Sequence, residues 1–376
     1  MSKIARVSAY ALCYPEPNDA MNMRSIALAR IETDDGAVGW GEAVTIWEPA
    51  SRATAQLIED AFAPLLIGRD PVDNYPLWLE MKEHCWWWGD TGLALFAVSA
   101  LDMALWDVKG KILGQPLHQM LGGKLFSRLR ACASTHPAKA SIDDLAQEMA
   151  DHVANGYTAV KAGFGKKGDA NLGVDPVRDL AYVKAVREAV GPHVDWVPDL
   201  GKKTRWDAAM AVKMTRQFEE YNIRWIEDPL LPENIEGYQK LRASVHTPVA
   251  TGERAWTVAD YRRFIAAGAA DVYLVDAGRV EGVTGYKQVI ELTAAHHTFI
   301  NAHTWAGALL HAASIHLTAV SPNHIFFEVK PTPNPMQHEL ARNFDELAAV
   351  NGWVNVPDTP GLGVEIDERV IAKYSC

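Results

Sequence analysis

The chain has 376 residues, which exceeds the roughly 250–300 residues that one hydrophobic core usually organises, so two domains are predicted. Hydrophobic residues make up 48% and charged residues 22% of the chain, as in ordinary water-soluble globular proteins. The formal net charge is −11 and no basic block offsets it, which argues against a nucleic-acid-binding protein.

The first 125 residues predict an α+β domain. The segment KIARVSAYAL predicts a strand, the region near Tyr14–Met23 a loop, and SIALARIETDDGAVGWGEA two further strands joined by a turn at Asp34–Gly36. Two segments with helical spacing follow, ATAQLIEDAFAPLLIG and GLALFAVSALDMALWDVKGKILG. Strands followed by helices favour an α+β domain at residues 1–125. The N-terminal segment has no long apolar run, so neither a signal peptide nor a membrane span is expected.

From about Ala131 the predicted strands and helices alternate. DLAYVKAVREAV predicts a helix with Asp175 as its N-cap and Pro176 at its first position. AAMAVKMTRQFEEY, VADYRRFIAAG and TGYKQVIELTAAH fill the later gaps between strands in the same way. This alternation predicts an α/β barrel at residues 126–339. The turn-rich segment GWVNVPDTPGLGVEID suggests that residues 340–376 return to the first domain.

The four cysteines are scattered along the chain, with no CxxC motif and no spacing typical of a disulfide framework. We therefore expect reduced thiols and a cytoplasmic protein. The cysteines are Cys13, Cys85, Cys132 and Cys376.

An ionisable residue stands at the end of one predicted strand after another. After the first interval, the steps from Asp199 to Glu328 are 28, 26, 23, 27 and 25 residues, about the length of one strand, one helix and two short loops. If parallel strands close into a barrel, all these residues meet at its C-terminal face, where such enzymes build their sites. The series is Lys161, Asp199, Glu227, Glu253, Asp276, His303 and Glu328.

Asp199, Glu227 and Glu253 are three carboxylates from successive strand ends, and carboxylate oxygens are the ligands that Mg²⁺ prefers. The alternative is that each carboxylate caps a helix or pairs with an arginine or lysine. Three carboxylates in consecutive units favour the metal site.

Three further members of the series are suited to proton transfer. Asp276 and His303 predict a pair in which the carboxylate orients the imidazole and raises its basicity, the alternative being a structural histidine. Lys161 is a candidate base, because a lysine close to a cation and shielded from water loses its proton more readily; otherwise it is a surface lysine.

Two other motifs have separate interpretations. Gly163–Gly168 matches GxGxxG, but the loop continues beyond these glycines before any helix begins, which disfavours a dinucleotide site and favours a flexible loop. Trp86–Trp88 cannot all face one core, which favours packing between domains or subunits over contact with a ligand.

Over essentially its whole length the chain resembles the mandelate racemase subgroup of the enolase superfamily. The motifs that carry the resemblance are IRWIEDPLLPEN, ATGE, DVYLVDAGRVEGVTG, PDTPGLGVEID and the strand-end His303. The resemblance implies a (β/α)7β barrel, a modified TIM barrel, with an α+β capping domain that the C-terminal tail completes. It also implies a homo-oligomer, from dimer to octamer.

The resemblance implies roles for the strand-end residues. Glu328 matches an acid that binds the substrate carboxylate, and the capping-domain loops suggest Arg24 and Trp47 as further substrate-binding residues. Aligned on the following glycines, Lys161 takes the second position of the family's Lys-x-Lys pattern, and Ala159 stands at the first. The remaining matches are Asp199, Glu227 and Glu253 as ligands of one Mg²⁺ per subunit, and Asp276 with His303 as the catalytic pair.

The implied reaction is removal of the proton α to a carboxylate, giving an enediolate, as is known for enolase-superfamily sites. The leading hypothesis is dehydration of a sugar acid to a 2-keto-3-deoxy acid, with Lys161 or His303 as the base. A racemase, an epimerase or a lactone cycloisomerase is the alternative, and a non-catalytic binding protein on the same fold is a remote one. The substrate is expected to be a small carboxylate, with no nucleic acid or membrane as partner.

Overall fold

The computed structural model describes residues 2–166, 168–201 and 204–376. Its N-terminal part is a three-stranded antiparallel sheet, β1–β2–β3, with the predicted turn at Asp34–Gly36 between the second and third strands. The predicted loop near Tyr14–Met23 is shorter than expected and comprises residues 17–21, because Tyr14 is buried and pairs with Arg24 in a hairpin ladder. The strands are β1 Ile4–Glu16, β2 Asn22–Thr33 and β3 Val38–Ile46.

Helices cover one face of this sheet. The longest of them lies so close to β3 that a Cβ atom added at Gly39 or Gly41 would overlap the backbone of Ala104 or Ala100, which explains both glycines. The helices are α1 Glu48–Leu57, α2 Ala63–Leu66, α3 Asn74–His84, α4 Leu93–Leu113 and α5 Leu117–Met120, with a π-helical turn, Ile58–Phe62, between the first two.

Within the described residues, eight parallel strands alternate with seven helices and the last strand pairs with the first, which confirms the predicted (β/α)7β barrel. Asp175 caps α7 by accepting a hydrogen bond from the amide of Val177, as predicted. The strands are β4 Arg128–Thr135, β5 Ala159–Phe164, β6 Asp195–Leu200, β7 Ile226–Glu227, β8 Val249–Thr251, β9 Val272–Val275, β10 Phe299–Ala302 and β11 His324–Val329. The helices are α6 Ile142–Ala154, α7 Pro176–Val190, α8 Ala208–Glu219, α9 Ile235–Arg242, α10 Val258–Ala266, α11 Gly282–Ala295 and α12 Ala308–Ala319.

The amino-terminal half of the barrel interior is filled with apolar side chains. Trp225 and Phe326 stack there at a centroid distance of 4.7 Å, among buried residues that include Ala159, Val197 and Leu274. Because apolar side chains fill this half of the barrel, polar side chains are found at the carboxyl ends of the strands.

The two parts of the chain are joined by carboxylates that cap barrel helices. Glu42 of β3 accepts hydrogen bonds from the amides of Gly307 and Leu310, at the start of α12. Asp102 of α4 accepts hydrogen bonds from the amide and hydroxyl of Thr284, in the first turn of α11. The accepting oxygens satisfy amides that have no partner within their own helix, so these contacts hold the parts together.

The C-terminal segment returns across the barrel to the first sheet. It contains α13 Pro335–His338, β12 Trp353–Asn355, which pairs antiparallel with β4, and α14 Glu368–Tyr374. Ser375 then forms a bridge with Leu12 of β1. The boundaries that we predict at residues 125 and 339 stay predictions.

The expectation of four reduced cysteines is wrong for this structure, because Cys13 and Cys376 form a disulfide with their Cα atoms 5.8 Å apart. The bridge between Leu12 and Ser375 brings these cysteines together although 363 residues separate them. Cys85 and Cys132 are free and buried. Among the described residues, no helix combines the length and the apolar character that crossing a lipid bilayer requires.

Candidate active site

Three carboxylates meet at the carboxyl ends of β6, β7 and β8. Asp199 and Glu227 are paired residues on neighbouring strands, and Glu253 follows β8 by two residues. One oxygen from each carboxylate lies within 4.8 Å of the others. The strand ends therefore bring the predicted ligand set together.

The composition of this cluster fits a hard divalent cation. All three donors are carboxylate oxygens, which is the donor set that Mg²⁺ prefers. Burial raises the pKa of both Asp199 and Glu227, because the withdrawal of these groups from water outweighs the opposing charge of Lys161. A cluster with surplus buried negative charge is electrostatically suited to a further cation.

Lys161 lies deep beside this cluster. Its Nζ is 2.5 Å from Oε1 of Glu227, 2.8 Å from Oε1 of Glu328 and 3.7 Å from Oδ2 of Asp199. Burial alone would lower the pKa of Lys161, but the three carboxylates raise it well above the ordinary value. Lys161 is therefore held as an ammonium ion in this arrangement.

Asp276 and His303 form a close pair at the ends of β9 and β10. Nδ1 of His303 is 2.6 Å from Oδ2 of Asp276, whose other oxygen accepts a hydrogen bond from the amide of Gly278. Nε2 of His303 is 3.3 Å from Oε2 of Glu253. Burial would lower the pKa of His303, but Glu253 and then Asp276 raise it to about 9. The ring is thus oriented by one carboxylate and faces the cluster with its other nitrogen.

Glu328 of β11 completes the series. Besides its ion pair with Lys161, it accepts a hydrogen bond from the amide of Thr304 at 3.3 Å. Burial would raise the pKa of Glu328, but Lys161 and His303 outweigh it and lower the pKa. The carboxylate of Glu328 therefore interacts with both Lys161 and His303.

A second aspartate–histidine pair lies beside the cluster, and its histidine lines the same cavity as His303. His136 directly follows β4, and its Nδ1 is 3.0 Å from Oδ1 of Asp19 in the first domain. Arg24 donates two hydrogen bonds to the other oxygen of Asp19, at 2.9 and 2.5 Å. The ring of His136 stacks on Trp305, with centroids 3.8 Å apart and planes inclined by 14°.

The charge state of this second pair is different. Burial, followed by the positive charge of Lys166, lowers the pKa of His136 to about 3, so the imidazole is neutral. The pKa of Asp19 falls to about 2, because its bonds to His136 and Arg24 outweigh burial. Nδ1 of His136 therefore donates to the carboxylate, and its Nε2 is left as an acceptor.

The sequence interpretation missed His136, although a signal for it existed. His136 ends a strand and precedes Lys161 by 25 residues, so it continues the strand-end series by one unit toward the N-terminus. Asp19 lacked such a signal, because it reaches the barrel from the other domain.

The predicted substrate-binding residues of the first domain lie at different depths. Arg24 lines an inner cavity of about 310 Å³, whose wall also includes Lys161, Lys166, Asp199, Glu253 and His303. Trp47 lines an adjoining outer cavity of about 340 Å³ and is 60% exposed at its rim, near Met23. The site therefore opens to solvent past Trp47.

A larger cavity, of about 520 Å³, lies at the opposite end of the barrel strands, between α9 and α10. Its charged wall residues, Arg242 and Asp271, pair with each other at 2.7 Å. None of the strand-end residues that the structure describes is part of its wall. We therefore assign the site by its chemistry and not by cavity size.

The tryptophan run lies between α3 and α4. Trp86 and Trp87 are 72% and 79% exposed, whereas Trp88 packs against Phe62 and His84. Both partners of Trp88 belong to the first domain, so packing of the tryptophan run between domains or subunits stays a prediction.

Comparison with known proteins gives consistent matches over most of the chain. The sequence model described as "Enolase C-terminal domain-like" matches residues 144–370, and the one described as "Mandelate racemase / muconate lactonizing enzyme, N-terminal domain" matches residues 17–122.

Two curated relatives and one solved structure illustrate the matches. D-galactarolactone cycloisomerase of Agrobacterium fabrum is 32% identical, over 93% of this chain and 91% of its own. D-gluconate dehydratase of Thermoproteus tenax is also 32% identical, over 96% of this chain and 72% of its own. The crystal structure of 3,6-anhydro-D-galactonate cycloisomerase from Zobellia galactanivorans covers 100% of both chains, with a TM-score of 0.89 and 28% identity.

Proposed function

Since the chain belongs to the mandelate racemase/muconate lactonizing enzyme family of the enolase superfamily, we propose that it is a Mg²⁺-dependent lyase that dehydrates a sugar acid to a 2-keto-3-deoxy acid. The observation that carries the proposal is the convergence of three carboxylates, the Asp276–His303 pair and a lysine on one cavity. A proton α to a carboxylate is very weakly acidic, and its removal requires such a combination of positive charge and a positioned base.

In this proposal Asp199, Glu227 and Glu253 hold one Mg²⁺ per subunit. When bound, the ion supplies positive charge against the second negative charge that develops on the substrate carboxylate. Lys161 donates to that carboxylate beside the ion, and Glu328, whose ion pair at 2.8 Å positions the lysine, binds the carboxylate in its protonated form, as the donor of an O–H hydrogen bond. The substrate is accordingly a small carboxylate.

His303, positioned by Asp276, protonates the β-hydroxyl so that it leaves as water. The raised pKa of His303 supports this role, because an imidazolium is the form that donates a proton. The sequence assigns removal of the α-proton to Lys161 or to His303, and this assignment stays a prediction. Arg24 and Trp47 contact the end of the substrate that is remote from the reaction.

A lactone cycloisomerase or another isomerase is the second candidate. It is favoured by the similarity to D-galactarolactone cycloisomerase, because this relative and D-gluconate dehydratase are each 32% identical to the chain. Both reactions begin with removal of an α-proton, so the same residues serve either outcome. A homo-oligomer and a cytoplasmic location are further parts of the proposal, to be tested by light scattering and by cell fractionation.

A substrate screen tests the reaction. The wild type, supplied with Mg²⁺, is incubated with a panel of mono- and diacid sugars and their lactones, and products are assayed as 2-keto-3-deoxy acids and by NMR. We expect a 2-keto-3-deoxy product from at least one acid. Conversion of a lactone without such a product would favour the cycloisomerase, and inertness toward the whole panel would contradict both.

Metal binding is measured separately by calorimetric titration. We expect the wild type to bind one equivalent of Mg²⁺, and Glu227→Gln to bind it at least about tenfold more weakly, because a charged ligand is lost. Glu236→Gln, at an exposed position on α9, is the matched control. Equal, negligible binding by all three proteins would contradict the metal-dependent proposal.

A further inference from the structure

Arg279 is a wall residue of the inner cavity to which the proposed reaction gives no role. It follows β9 by four residues, and the carbonyl of the preceding Gly278 accepts a hydrogen bond from the amide of Val44 in β3 at 3.4 Å. The backbone that carries Arg279 is therefore attached to the first domain, and its side chain reaches the cavity from that side.

Two aromatic rings hold the guanidinium of Arg279. Its Cζ lies 4.4 Å from the ring centroid of Trp256 and 5.5 Å from that of Phe96, and the planes of the two rings are inclined by 75°. The face of an aromatic ring attracts a cation, most strongly where water is excluded. The guanidinium is thus held in one orientation, so it loses little further side-chain freedom when it binds a ligand.

This guanidinium lacks the anionic partner that the other arginines of the same wall have. Arg24 pairs with Asp19 at 2.5 Å, and Arg254 pairs with Asp228 at 3.1 Å. Within the ranges that the structure describes, the side chain of Arg279 forms no ion pair, and its Nε is buried without a hydrogen-bond partner. Burial of a charge without a counter-charge is costly, so this position is suited to an anionic ligand.

Lys166 is the other cation of this wall for which the described residues provide no ion pair. Its charge acts on the ligand cluster, however. Burial would raise the pKa of Glu253, but His303 and then Lys166 bring it far below the ordinary value. Lys166 therefore already balances the cluster, and Arg279 is the cation that is left for a ligand.

Lys161 and Arg279 approach the cavity from opposite sides. Their strands, β5 and β9, are four places apart in a closed ring of eight strands. Lys161 lies within β5 beside Glu227 and Glu328, whereas Arg279 lies beyond the end of β9, so the two residues also differ in depth. A carboxylate that is bound beside Lys161 therefore leaves Arg279 for a second anion.

We propose that Arg279 binds a second carboxylate of the substrate, so that the enzyme acts on a sugar diacid in preference to the matching monoacid. The planar guanidinium offers paired N–H donors that match the two oxygens of a carboxylate. This inference rests on the proposed function and deepens it, since it names the class of sugar acid.

The size of the inner cavity agrees with a short diacid. Its volume of about 310 Å³ is that of a sphere about 8 Å across, at the small end of ligand pockets. With carbon–carbon bonds of about 1.5 Å, an extended six-carbon chain spans about 6 Å between its terminal carbons. Both carboxylates of a six-carbon diacid therefore fit within the cavity.

The test compares each diacid with the monoacid of the same configuration, which has a hydroxymethyl group in place of the second carboxylate. We measure kcat and KM with Mg²⁺ for the wild type, Arg279→Met and Arg279→Lys. For the wild type we expect kcat/KM to favour the diacid at least about 30-fold, because the monoacid leaves the guanidinium without an anion.

The two variants should lose this preference to different degrees. We expect Arg279→Met to lower kcat/KM for the diacid at least about 30-fold, chiefly through KM, and to change the value for the monoacid less than about threefold. Arg279→Lys keeps the charge but not the paired donors, so its preference should be intermediate. If Arg279→Met fails to fold, Arg279→Lys provides the same comparison.

Controls and alternative anions complete the experiment. Arg263→Met, at an exposed position on α10, is the matched control and should keep the wild-type preference. Circular dichroism and Mg²⁺ binding of Arg279→Met should match the wild type. Equal kcat/KM for the two acids in the wild type, or an equal loss for both in Arg279→Met, would overturn the inference. A preference for a monoacid with a terminal phosphate would assign the second anion to phosphate and would overturn it as well.

A binding measurement separates this inference from the proposed function. Calorimetry gives the affinity of the Mg²⁺-loaded wild type for the same two acids, whether or not they react. Turnover of no acid would overturn the proposed function, whereas equal affinity for the diacid and the monoacid would overturn the inference alone.

Discussion

The two aspartate–histidine pairs of the cavity differ in charge although their contacts are alike. Nδ1 of His303 lies 2.6 Å from Asp276, and Nδ1 of His136 lies 3.0 Å from Asp19. Yet the pKa of His303 is raised to about 9 and that of His136 is lowered to about 3.

The difference comes from the next charged neighbour. Burial would lower the pKa of both imidazoles. Glu253 stands 3.3 Å from the second nitrogen of His303 and reverses the effect of burial, whereas Lys166 and Arg24 act on His136 in the same direction as burial. An aspartate partner therefore orients an imidazole, and its charge is decided by what faces the other side of the ring. One pair is suited to giving a proton and the other to accepting a hydrogen bond.

The largest expected effect concerns the pair of Asp276 and His303, whose imidazole is charged. His303→Asn removes the acid that assists departure of the hydroxyl, so dehydration should fall about 10³–10⁴-fold. If a lysine removes the α-proton, exchange of that proton with D2O should persist in this variant. Dehydration assays and NMR measure the two steps separately, and full dehydration by this variant would refute the role of His303.

Glu42, a third buried group, tests whether burial alone shifts a pKa in the expected direction. Burial raises the pKa of Glu42 from 4.5 to about 7, against the amides of Gly307 and Leu310 and the charge of Lys330, with Asp276 adding to the rise. The folded protein holds this proton more tightly than the unfolded chain. The associated stability is therefore complete below pH 4.5 and is lost as the pH rises through about 7.

The measurement is urea unfolding of the wild type and of Glu42→Gln at several pH values between 5 and 8. Over this range we expect the free energy of unfolding of the wild type to fall by about 3 kcal/mol relative to the variant, whose amide does not ionise. Glu48→Gln, which alters an exposed glutamate, should keep the wild-type profile. Parallel profiles for the wild type and Glu42→Gln would show that Glu42 is ionised throughout.

The smallest expected effect concerns the pair of Asp19 and His136, whose imidazole is neutral. His136→Phe keeps the stacking on Trp305 but removes the acceptor nitrogen, so a substrate hydroxyl would lose one hydrogen bond. We expect KM to rise about tenfold with little change in kcat, which corresponds to about 1.4 kcal/mol. A fall in kcat with an unchanged KM would instead assign His136 to proton transfer and remove the contrast between the pairs.

Much of the fold could be predicted because the barrel repeats one unit. The spacing of strand ends located Asp199, Glu227 and Glu253 at one place, since parallel strands carry their ends to the same face. The same argument brought Asp276 to His303 and applied equally to His136. Regular elements make position along the chain equivalent to position in space.

The remaining features depend on contacts that have no period. Strand pairing sets the depth of Lys161 and Gly163 in the barrel. Both residues face the same side of β5, so the alternation of the sequence does not show which lies deeper. Lys166 enters the cavity from a loop, and Asp19 enters it from another domain, 117 residues before His136. Neither hydrophobic periodicity nor motif spacing encodes such approaches.

The caps that Glu42 and Asp102 place on α12 and α11 set a rule for building chimeras. An N-terminal part taken from a relative must supply a carboxylate at both places, or two barrel helices will begin with unsatisfied amides. Exchange of specificity by swapping this part is therefore constrained by two residues that lie outside the reaction cavity, and transplanting only the loops around Arg24 and Trp47 avoids the constraint.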